Sequence, residues 1–569
     1  MPAPFLHLLL ITVLLLTAGC AGTPPTTTTL AKPPAAAVAS AHPLATAAGI
    51  EVLEAGGNAF DAAVAVTAAL AVVEPTGSGL GGGGFWLLHR AADGHQVMLD
   101  GRETAPAAAH RDMYLDAAGN VIPDASIDGP LSAGIPGTPA ALAHLAERYG
   151  RLPLATALAP AIRLAEQGFT VDEPYRRMAE FRLKALQASP AATAIFLEDH
   201  HVPTPSFVVR QPDLAKTLRA IALQGAAGFY QGEIAHQLVA GSRAAGGIWT
   251  EQDLRDYRVI ERAPIIGQYH GMRVVSAAPP SSGGIALTTI LNILAGYPLQ
   301  QLEATQRTHL IVEAMRRAYR DRAEYLGDPA FVEVPLAQLT APLYAAGLRA
   351  GIHPQRATPS ESLPGQVAEV GGNHTTHFSI LDQEGNRVAA TMSINYPFGS
   401  GFVPPGTGVL LNDEMDDFSA KPGVPNVYGL VGAEANAIAP GKRPLSSMTP
   451  TFLESDRGIA LLGTPGGSRI ITMVLLGTLD YAAGGTPEQW VTLPRFHHQY
   501  LPDVIQYEPE ALTSAQIEAL RAKGHQLQAL DNSYGNMQAI LWDKQQGVVQ
   551  AASDPRGIGH AQIKVIAPR

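Results

Sequence analysis

Cysteine is all but missing: the chain has 569 residues and one cysteine, Cys20, so no disulfide can form within it and the fold rests on packing. Charge is scarce as well. Asp, Glu, Lys and Arg make up 16% of residues, too few for a disordered chain, while 46% are hydrophobic, enough for a large core. Nor is there a basic excess: 39 Lys and Arg stand against 50 Asp and Glu, a formal charge of −11, which excludes the electrostatic footprint of a nucleic-acid binder. The most apolar run, Leu8 to Leu16, falls short of the ~20 residues that span a bilayer comfortably. Length alone leaves the number of domains open.

That apolar run stands directly before the cysteine. Thr17-Ala18-Gly19-Cys20 places small residues ahead of the thiol, and residues 1–20 resemble a bacterial lipoprotein signal. The resemblance implies removal of residues 1–19, lipid on Cys20, and export to the periplasmic side, with Ala21 in place of Asp favouring the outer membrane. The first seven residues carry no Lys or Arg, and Thr17 stands where leucine is usual, so two alternatives stay open. One is an ordinary secretory signal, leaving a soluble periplasmic or secreted protein, and the other is a short anchor with an incidental cysteine. Residues 20–36, with Gly22-Thr23-Pro24-Pro25 and four threonines, have the composition of a tether, and folded structure is expected from about Ala37.

Beyond the tether the chain alternates helical and strand patterns. Leu44 to Ala55 and Asp61 to Val73 are Ala-rich and separated by Gly56-Gly57-Asn58, which predicts two helices packed as a hairpin. Gly77-Ser78-Gly79-Leu80-Gly81-Gly82 matches a dinucleotide fingerprint by letter, but a helix precedes it and the strand-like Phe85-Trp86-Leu87-Leu88 follows, the reverse of what that motif requires. These glycines are read instead as a tight turn and a close approach to a neighbouring strand. Helical stretches dominate 137–330. In Thr308 to Leu326 the residues Leu310, Ala314 and Ala318 share a face, and Arg316, Arg317 and Arg320 lie off it, which reads as scaffold. From Gly351 to Gly372, Pro354, Pro359 and Pro364 break any period, giving an exposed segment of the kind where chains are cut.

Thr375 follows that segment at the start of a strand hairpin, His377 to Leu381 and Arg387 to Ile394 around Gln383-Glu384-Gly385-Asn386. In the second strand Val388, Ala390, Met392 and Ile394 fall on one face and Thr391, Ser393 and Asn395 on the other, so one side is core and the other can present hydroxyl and amide groups. Downstream lie the acidic Asn412-Asp413-Glu414-Met415-Asp416-Asp417, the polar Arg443-Pro444-Leu445-Ser446-Ser447 and the glycine turn Gly463-Thr464-Pro465-Gly466-Gly467-Ser468. Singly each reads as solvated acids, a loop or a turn. Together they suit a substrate carrying both an amine and a carboxylate.

Asn373-His374-Thr375-Thr376-His377-Phe378-Ser379, Leu411 to Ser419, Pro444 to Met448 and Thr464 to Ser468 resemble the γ-glutamyltranspeptidase family. Upstream, His42-Pro43-Leu44-Ala45, Asp100-Gly101-Arg102-Glu103-Thr104 and Pro279 to Gly284 fit the same pattern, as do Arg495 to Gln499 and Ser553 to Arg556 near the end. The resemblance implies an N-terminal-nucleophile hydrolase, an α/β (α+β) fold built as a four-layer αββα sandwich. The family is made as a precursor that cuts itself, here between His374 and Thr375, into a heterodimer of a large subunit (37–374) and a small catalytic one (375–569). Once terminal, a threonine supplies its hydroxyl as nucleophile and its α-amino group, with a pKa near 8, as base.

Carried over position by position, the resemblance makes Thr375 the nucleophile that forms a γ-glutamyl ester and Ser393 the hydroxyl in contact with it, where the family usually has threonine. Arg102, Ser446 and Ser447 would bind the substrate α-carboxylate, and Asn395, Glu414 and Asp417 its α-ammonium. The N–H groups of Gly466 and Gly467 would form the oxyanion hole, and Lys421 to Glu434 a lid closed by Tyr428. The implied donors are glutathione and other γ-glutamyl compounds, and the acceptors amino acids, peptides or water. Two other readings remain: an acylase of the same fold acting on glutaryl or cephalosporin-type amides, and a non-catalytic lipoprotein that binds glutamate-like ligands. No cofactor or metal is implied, since His374 with His377, His200-His201 and His497-His498 lack a metalloprotease spacing and read as structural histidines.

These expectations predict that the purified mature protein gives two chains by intact mass and N-terminal sequencing, one starting at a lipid-bearing Cys20 and one at Thr375. A single uncut chain starting near Cys20 would instead favour the non-catalytic reading.

Overall fold

Alternate residues of single strands belong to two different apolar cores, and this defines the layers. In the strand Ala36–Ser40, Ala36 and Val38 join one core while Ala37 and Ala39 join the other. In Gly83–Arg90, Trp86 and Leu88 face the first core and Phe85 and Leu87 the second. A sheet with two apolar faces must be covered on both. In this computed structural model, which describes residues 32–363, 375–421, 424, 426 and 432–567, one face is covered by helices and the other by a second sheet with its own helices behind it. The result is the four-layer αββα sandwich. Cys20, His374 and Tyr428 lie outside the described residues.

The first sheet has seven strands in the order His560–Lys564, Ala36–Ser40, Thr376–Leu381, Arg387–Ser393, Gly83–Arg90, His95–Gly101 and Ile260–Arg262, with every neighbour antiparallel. The second has six, Val548–Ser553, Gln538–Asp543, Gly458–Gly463, Thr451–Glu454, Met272–Ser276 and Ile265–Tyr269, likewise antiparallel. The expected strand hairpin around residues 383–386 forms, and Val388, Ala390, Met392 and Ile394 all enter the first core, as their period predicts.

The expected helix hairpin is present as Pro43–Glu54 and Ala59–Val73. Asn58 starts the second helix with a capping box: its side chain accepts from the Phe60 and Asp61 N–H groups at 2.9 and 3.0 Å, and Asp61 Oδ2 accepts from the Asn58 N–H at 2.9 Å. Every residue of Ala59–Val73 is buried, so its Ala-rich composition reflects close packing on all sides. Behind the second sheet lie Gly283–Leu294, Ala304–Tyr325 and Ile470–Ala482. Leu310, Ala314 and Ala318 enter the second core as expected. Arg316 and Arg317 are buried too, both paired with Glu313, at 3.3 and 2.7 Å.

The glycine run does what its context suggested. A Cβ on Gly82 would stand 2.1 Å from the Ser393 carbonyl oxygen and one on Gly81 2.0 Å from that of Leu410, so only glycine lets this segment lie against its neighbours.

A cut before Thr375, as expected from the sequence, would divide both sheets between two fragments that cannot be pulled apart without breaking a ladder. The Thr376–Leu381 strand, from the C-terminal fragment, pairs with Ala36–Ser40 of the N-terminal one, and Met272–Ser276 of the N-terminal fragment pairs with Thr451–Glu454. After cleavage the two chains should therefore co-elute in size exclusion at native pH and separate only with global unfolding, in one cooperative transition. Separation below that transition would show that the strands are not shared.

Candidate active site

The first-sheet ladder holds Thr375 by its neighbour. Thr376 opens a central strand and pairs with Met392, while two residues on Phe378 pairs with both Ala390 and Ser40. Thr376 Oγ1 also donates to Glu74 Oε2 at 2.5 Å. Thr375 itself is buried, 8% exposed. Ser393 closes the adjacent strand with its Oγ 3.5 Å from Thr375 Oγ1, and the same oxygen accepts from the Asn395 N–H at 2.8 Å. The chain then turns sharply. Asn395 adopts a left-handed backbone, φ 72°, an uncommon conformation for a side-chain-bearing residue, and its Nδ2 donates to the Asp413 carbonyl at 3.0 Å.

The acidic segment is fastened from outside. Asn412 Nδ2 donates to the carbonyls of Gly81 and Gly134, at 2.6 and 2.8 Å, and its Oδ1 accepts from the Gly134 and Glu414 N–H groups, both at 2.9 Å. So anchored, the single turn Glu414–Asp417 meets Arg102, which follows the strand His95–Gly101. One guanidinium nitrogen of the fully buried Arg102 pairs with Glu414 Oε1 and the other with Asp417 Oδ2, and Glu103 lies 3.7 Å away. Backbone oxygens of Pro444 and Leu445 each accept from Arg102 at 3.2 Å. Burial works against the Arg102 charge, but Glu414, Asp417 and Glu103 outweigh it and raise its pKa above the usual value. The Glu414 carboxyl is pushed up to about 7 by burial, against the pull of Arg102 and with the further push of Asp417. Its second oxygen, Oε2, is buried without a hydrogen-bond partner.

Ser446 and Ser447 are set by the Pro279 to Gly284 segment. Ser446 N donates to the Pro280 carbonyl at 2.9 Å, and its own carbonyl accepts from the Ser282 N–H and hydroxyl at 2.8 and 2.7 Å. Ser447 Oγ accepts from Arg322 at 3.1 Å, and Arg322 Nε donates to Ser282 at 3.0 Å. Arg322 is a second buried guanidinium beside Arg102, its pKa lowered to about 10 by burial. It was missed in the sequence because the Thr308 to Leu326 stretch reads as scaffold, and the only signal was a fifth arginine at the far end of the helix Ala304–Tyr325.

Gly466 and Gly467 lie between the strand Gly458–Gly463 and the helix Ile470–Ala482, with φ of 142° and 54°, values that disfavour any side chain. One small pocket of about 20 Å³ collects Arg102, Arg322, Thr375, Ser393, Asn395, Glu414, Asp417, Ser446, Ser447 and Gly467. Of the described residues expected at the site, only Gly466 is outside that lining, and it borders a second cavity that also reaches Thr375. His377 and His497 are buried structural residues, each bonded to a threonine hydroxyl, at 2.8 and 2.9 Å. Among the described residues one group, His309, Glu313 and His525, has metal-like spacing. There Glu313 is already paired with two arginines and His309 Nδ1 is bonded to His525 Nε2 at 2.8 Å.

An αββα sandwich with a threonine hydroxyl at the head of a central strand is the architecture of an N-terminal-nucleophile hydrolase. The family model described as gamma-glutamyltranspeptidase matches residues 45–563. A glutathione hydrolase proenzyme of Pseudomonas sp. (strain A14) is 47% identical over 483 residues, 84% of each chain. That of Escherichia coli (strain K12) is 43% identical over 529 residues, 92% of this chain and 90% of the other. The crystal structure of a cephalosporin acylase from Bacillus halodurans, 28% identical, superposes with a TM-score of 0.81 over 96% of this chain and 99% of that one. The chain belongs to the γ-glutamyltranspeptidase family and is an enzyme of that N-terminal-nucleophile class.

The 3.5 Å approach of Ser393 to Thr375 has a testable consequence. Ser393→Ala should slow chain cleavage at least tenfold, followed as loss of precursor on a denaturing gel, whereas Ser393→Thr should cleave as fast as the parent or faster. Equal rates for all three would remove Ser393 from the nucleophile's surroundings.

Proposed function

We propose that this pocket receives a γ-glutamyl group and that Thr375, freed by cleavage after His374, accepts it as an ester and passes it to water, an amino acid or a peptide. Glutathione and related γ-glutamyl amides are the donors. The observation that carries this reading is the pairing of Arg102 with Glu414 and Asp417, together with the unpartnered Glu414 Oε2. A zwitterion is the ligand that can replace such a pair. Its α-carboxylate takes the guanidinium, with Ser446 and Ser447 beside it, and its α-ammonium takes the two acids and Asn395, so both signs of buried charge stay paired.

In the proposed reaction the Thr375 α-amino group takes the hydroxyl proton, Oγ1 attacks the γ-carbonyl carbon, and the developing oxyanion meets the N–H groups of Gly466 and Gly467. The leaving amine collects the proton, and the acceptor then repeats the exchange on the ester.

The likeness to a cephalosporin acylase supports a second reading, a glutaryl-type amide, and the pocket's charges weigh against it. A glutaryl group brings a carboxylate and no ammonium. Drawing Arg102 off Glu414 and Asp417 without replacement leaves buried carboxylates unpaired, and breaking a buried pair in that way costs about 3–5 kcal/mol.

Export and lipidation at Cys20 complete the proposal, supported by the apolar run Leu8 to Leu16 and the small residues before the thiol. The enzyme would then act on the periplasmic side.

With a γ-glutamyl anilide as donor, Arg102→Lys should raise KM at least tenfold, because an ammonium cannot reproduce the planar fork, while chain cleavage stays within about twofold of the parent. Thr375→Ala should abolish both anilide release and cleavage. If Arg102→Lys impaired cleavage as much as donor binding, Arg102 would be a structural residue and not a carboxylate clamp.

A further inference from the structure

Residues 351–372 read in the sequence as an exposed segment, yet as far as Leu363 the chain is fastened by a cluster of charged groups that line neither cavity at Thr375. Glu313, fully buried on the helix Ala304–Tyr325, accepts from the Thr358 N–H at 3.0 Å and from its hydroxyl at 2.5 Å. Arg317 beside it donates to the Gly351 carbonyl at 2.9 Å, and Arg316 donates to the Ser360 hydroxyl. The C-terminal part of the chain supplies the rest. Asp503 pairs with Arg316, accepts from the Ser360 N–H at 2.7 Å and lies 3.1 Å from His498 Nε2. The Lys523 carbonyl accepts from the Ala357 N–H at 2.7 Å, and the Tyr500 hydroxyl donates to the Leu363 carbonyl at 3.2 Å. Ser360 is completely buried among these groups. Buried charges are a costly way to hold a connecting segment, since each must be desolvated and paired. From Leu363 to Thr375 the chain has 11 intervening residues, 364–374, and just past Thr375 comes the ladder that begins at Thr376.

We propose that this cluster, with Asp503 as its key residue, is a positioning device for chain cleavage: it pins the chain ahead of the cut, so that the peptide bond to be broken belongs to a short span fixed at both ends. The inference rests on the cleavage before Thr375 proposed above and adds what holds the precursor for it. In that step Thr375 Oγ1 forms a bond to the His374 carbonyl carbon, the bond from that carbon to the Thr375 nitrogen breaks, and the hydroxyl proton passes to the nitrogen. Water then opens the ester, leaving a carboxyl group on His374 and returning a hydrogen to Oγ1. The attack is intramolecular, so its rate depends on how often the carbonyl carbon and the hydroxyl meet in a productive geometry. A span held at Leu363 has 11 residues, whereas one held only as far as Gly351 would have 23, residues 352–374. Closure falls off as roughly the three-halves power of length, so the shorter span is favoured about threefold. Asp503, Tyr500 and Lys523 all follow the cut, so the span is pinned to the same part of the chain that carries the nucleophile.

The test follows loss of full-length precursor on a denaturing gel after a pulse of synthesis, then assays the processed enzyme with a γ-glutamyl anilide. Asp503→Ala, which removes the acceptor for Ser360 and the partner of Arg316, should slow cleavage at least threefold, and Asp503→Asn, which keeps an acceptor, should fall between it and the parent. Once processed, both should release anilide with kcat and KM within twofold of the parent, because Asp503 lines neither cavity at Thr375. A Gly-Ser insertion directly after Leu363 that doubles the span leaves the cluster intact, and should by itself slow cleavage about threefold. Cleavage at the parental rate in Asp503→Ala, equal losses of cleavage and anilide release, or an insertion without effect would each overturn the device while leaving the donor chemistry standing. A parent that stays a single uncut chain would overturn the cleavage reading and the device with it.

Discussion

The ladder on either side of Thr376–Leu381 is the constraint on which the site depends. A nucleophile exposed by chain cleavage sits at a new chain end, and chain ends ordinarily fray. The end proposed at Thr375 is one residue from a strand with partners on both edges and apolar cores on both faces, so a cut there would free an amino group without freeing the threonine. Glu74 adds a hook through Thr376, and Ser393, closing the next strand, reaches Thr375 from the side. Because the ladder crosses from one proposed fragment to the other, the bonds that would hold the two chains together are the ones that hold Thr375.

Electrostatics supplies the second layer of design. Arg102, Glu414, Asp417 and Glu103 are more charge than a buried pocket tolerates unless the groups satisfy one another. Arg102 pairs with Glu414 and Asp417, while Glu414 Oε2 and both Glu103 oxygens are left without a hydrogen-bond partner, and a ligand of opposite charges at its two ends can exchange into that arrangement at little cost. A ligand with only one of the two charges cannot. Selectivity thus comes from the penalty of leaving a buried partner unpaired more than from the strength of any single contact.

Much of this was legible in the residues, and the remainder was not for physical reasons. The two-residue period of Arg387–Ser393 located the core face and the hydroxyl face, and the Gly56-Gly57-Asn58 stop located the first helix pair, because both patterns are local. Resemblance to known motifs brought Arg102, Ser393, Asn395, Glu414, Asp417, Ser446, Ser447 and Gly467 together, and the structure puts them in one lining although they span nearly 370 residues of chain. Local patterns were silent on Arg322, since one arginine on a helix rich in them carries no mark of the direction it faces. They were silent, too, on the mutual pairing of Arg102 with Glu414 and Asp417, because spacing says which charges exist and folding decides which of them meet.

Gly82 shows why the glycines and the catalytic strand have to be considered together. Its Cα lies so close to the Ser393 carbonyl that a methyl group would stand at 2.1 Å, and Gly84 continues the contact along the same pair of strands, where a methyl group would stand 2.6 Å from the Thr391 carbonyl oxygen. Ser393 can reach Thr375 only if its own strand is drawn tight against Gly83–Arg90 on one edge while Thr376–Leu381 occupies the other. A single larger residue in the glycine run would push the strand outward and lengthen a 3.5 Å approach that has no slack. The run that looks like a cofactor loop therefore belongs to the geometry around Thr375, acting through backbone proximity.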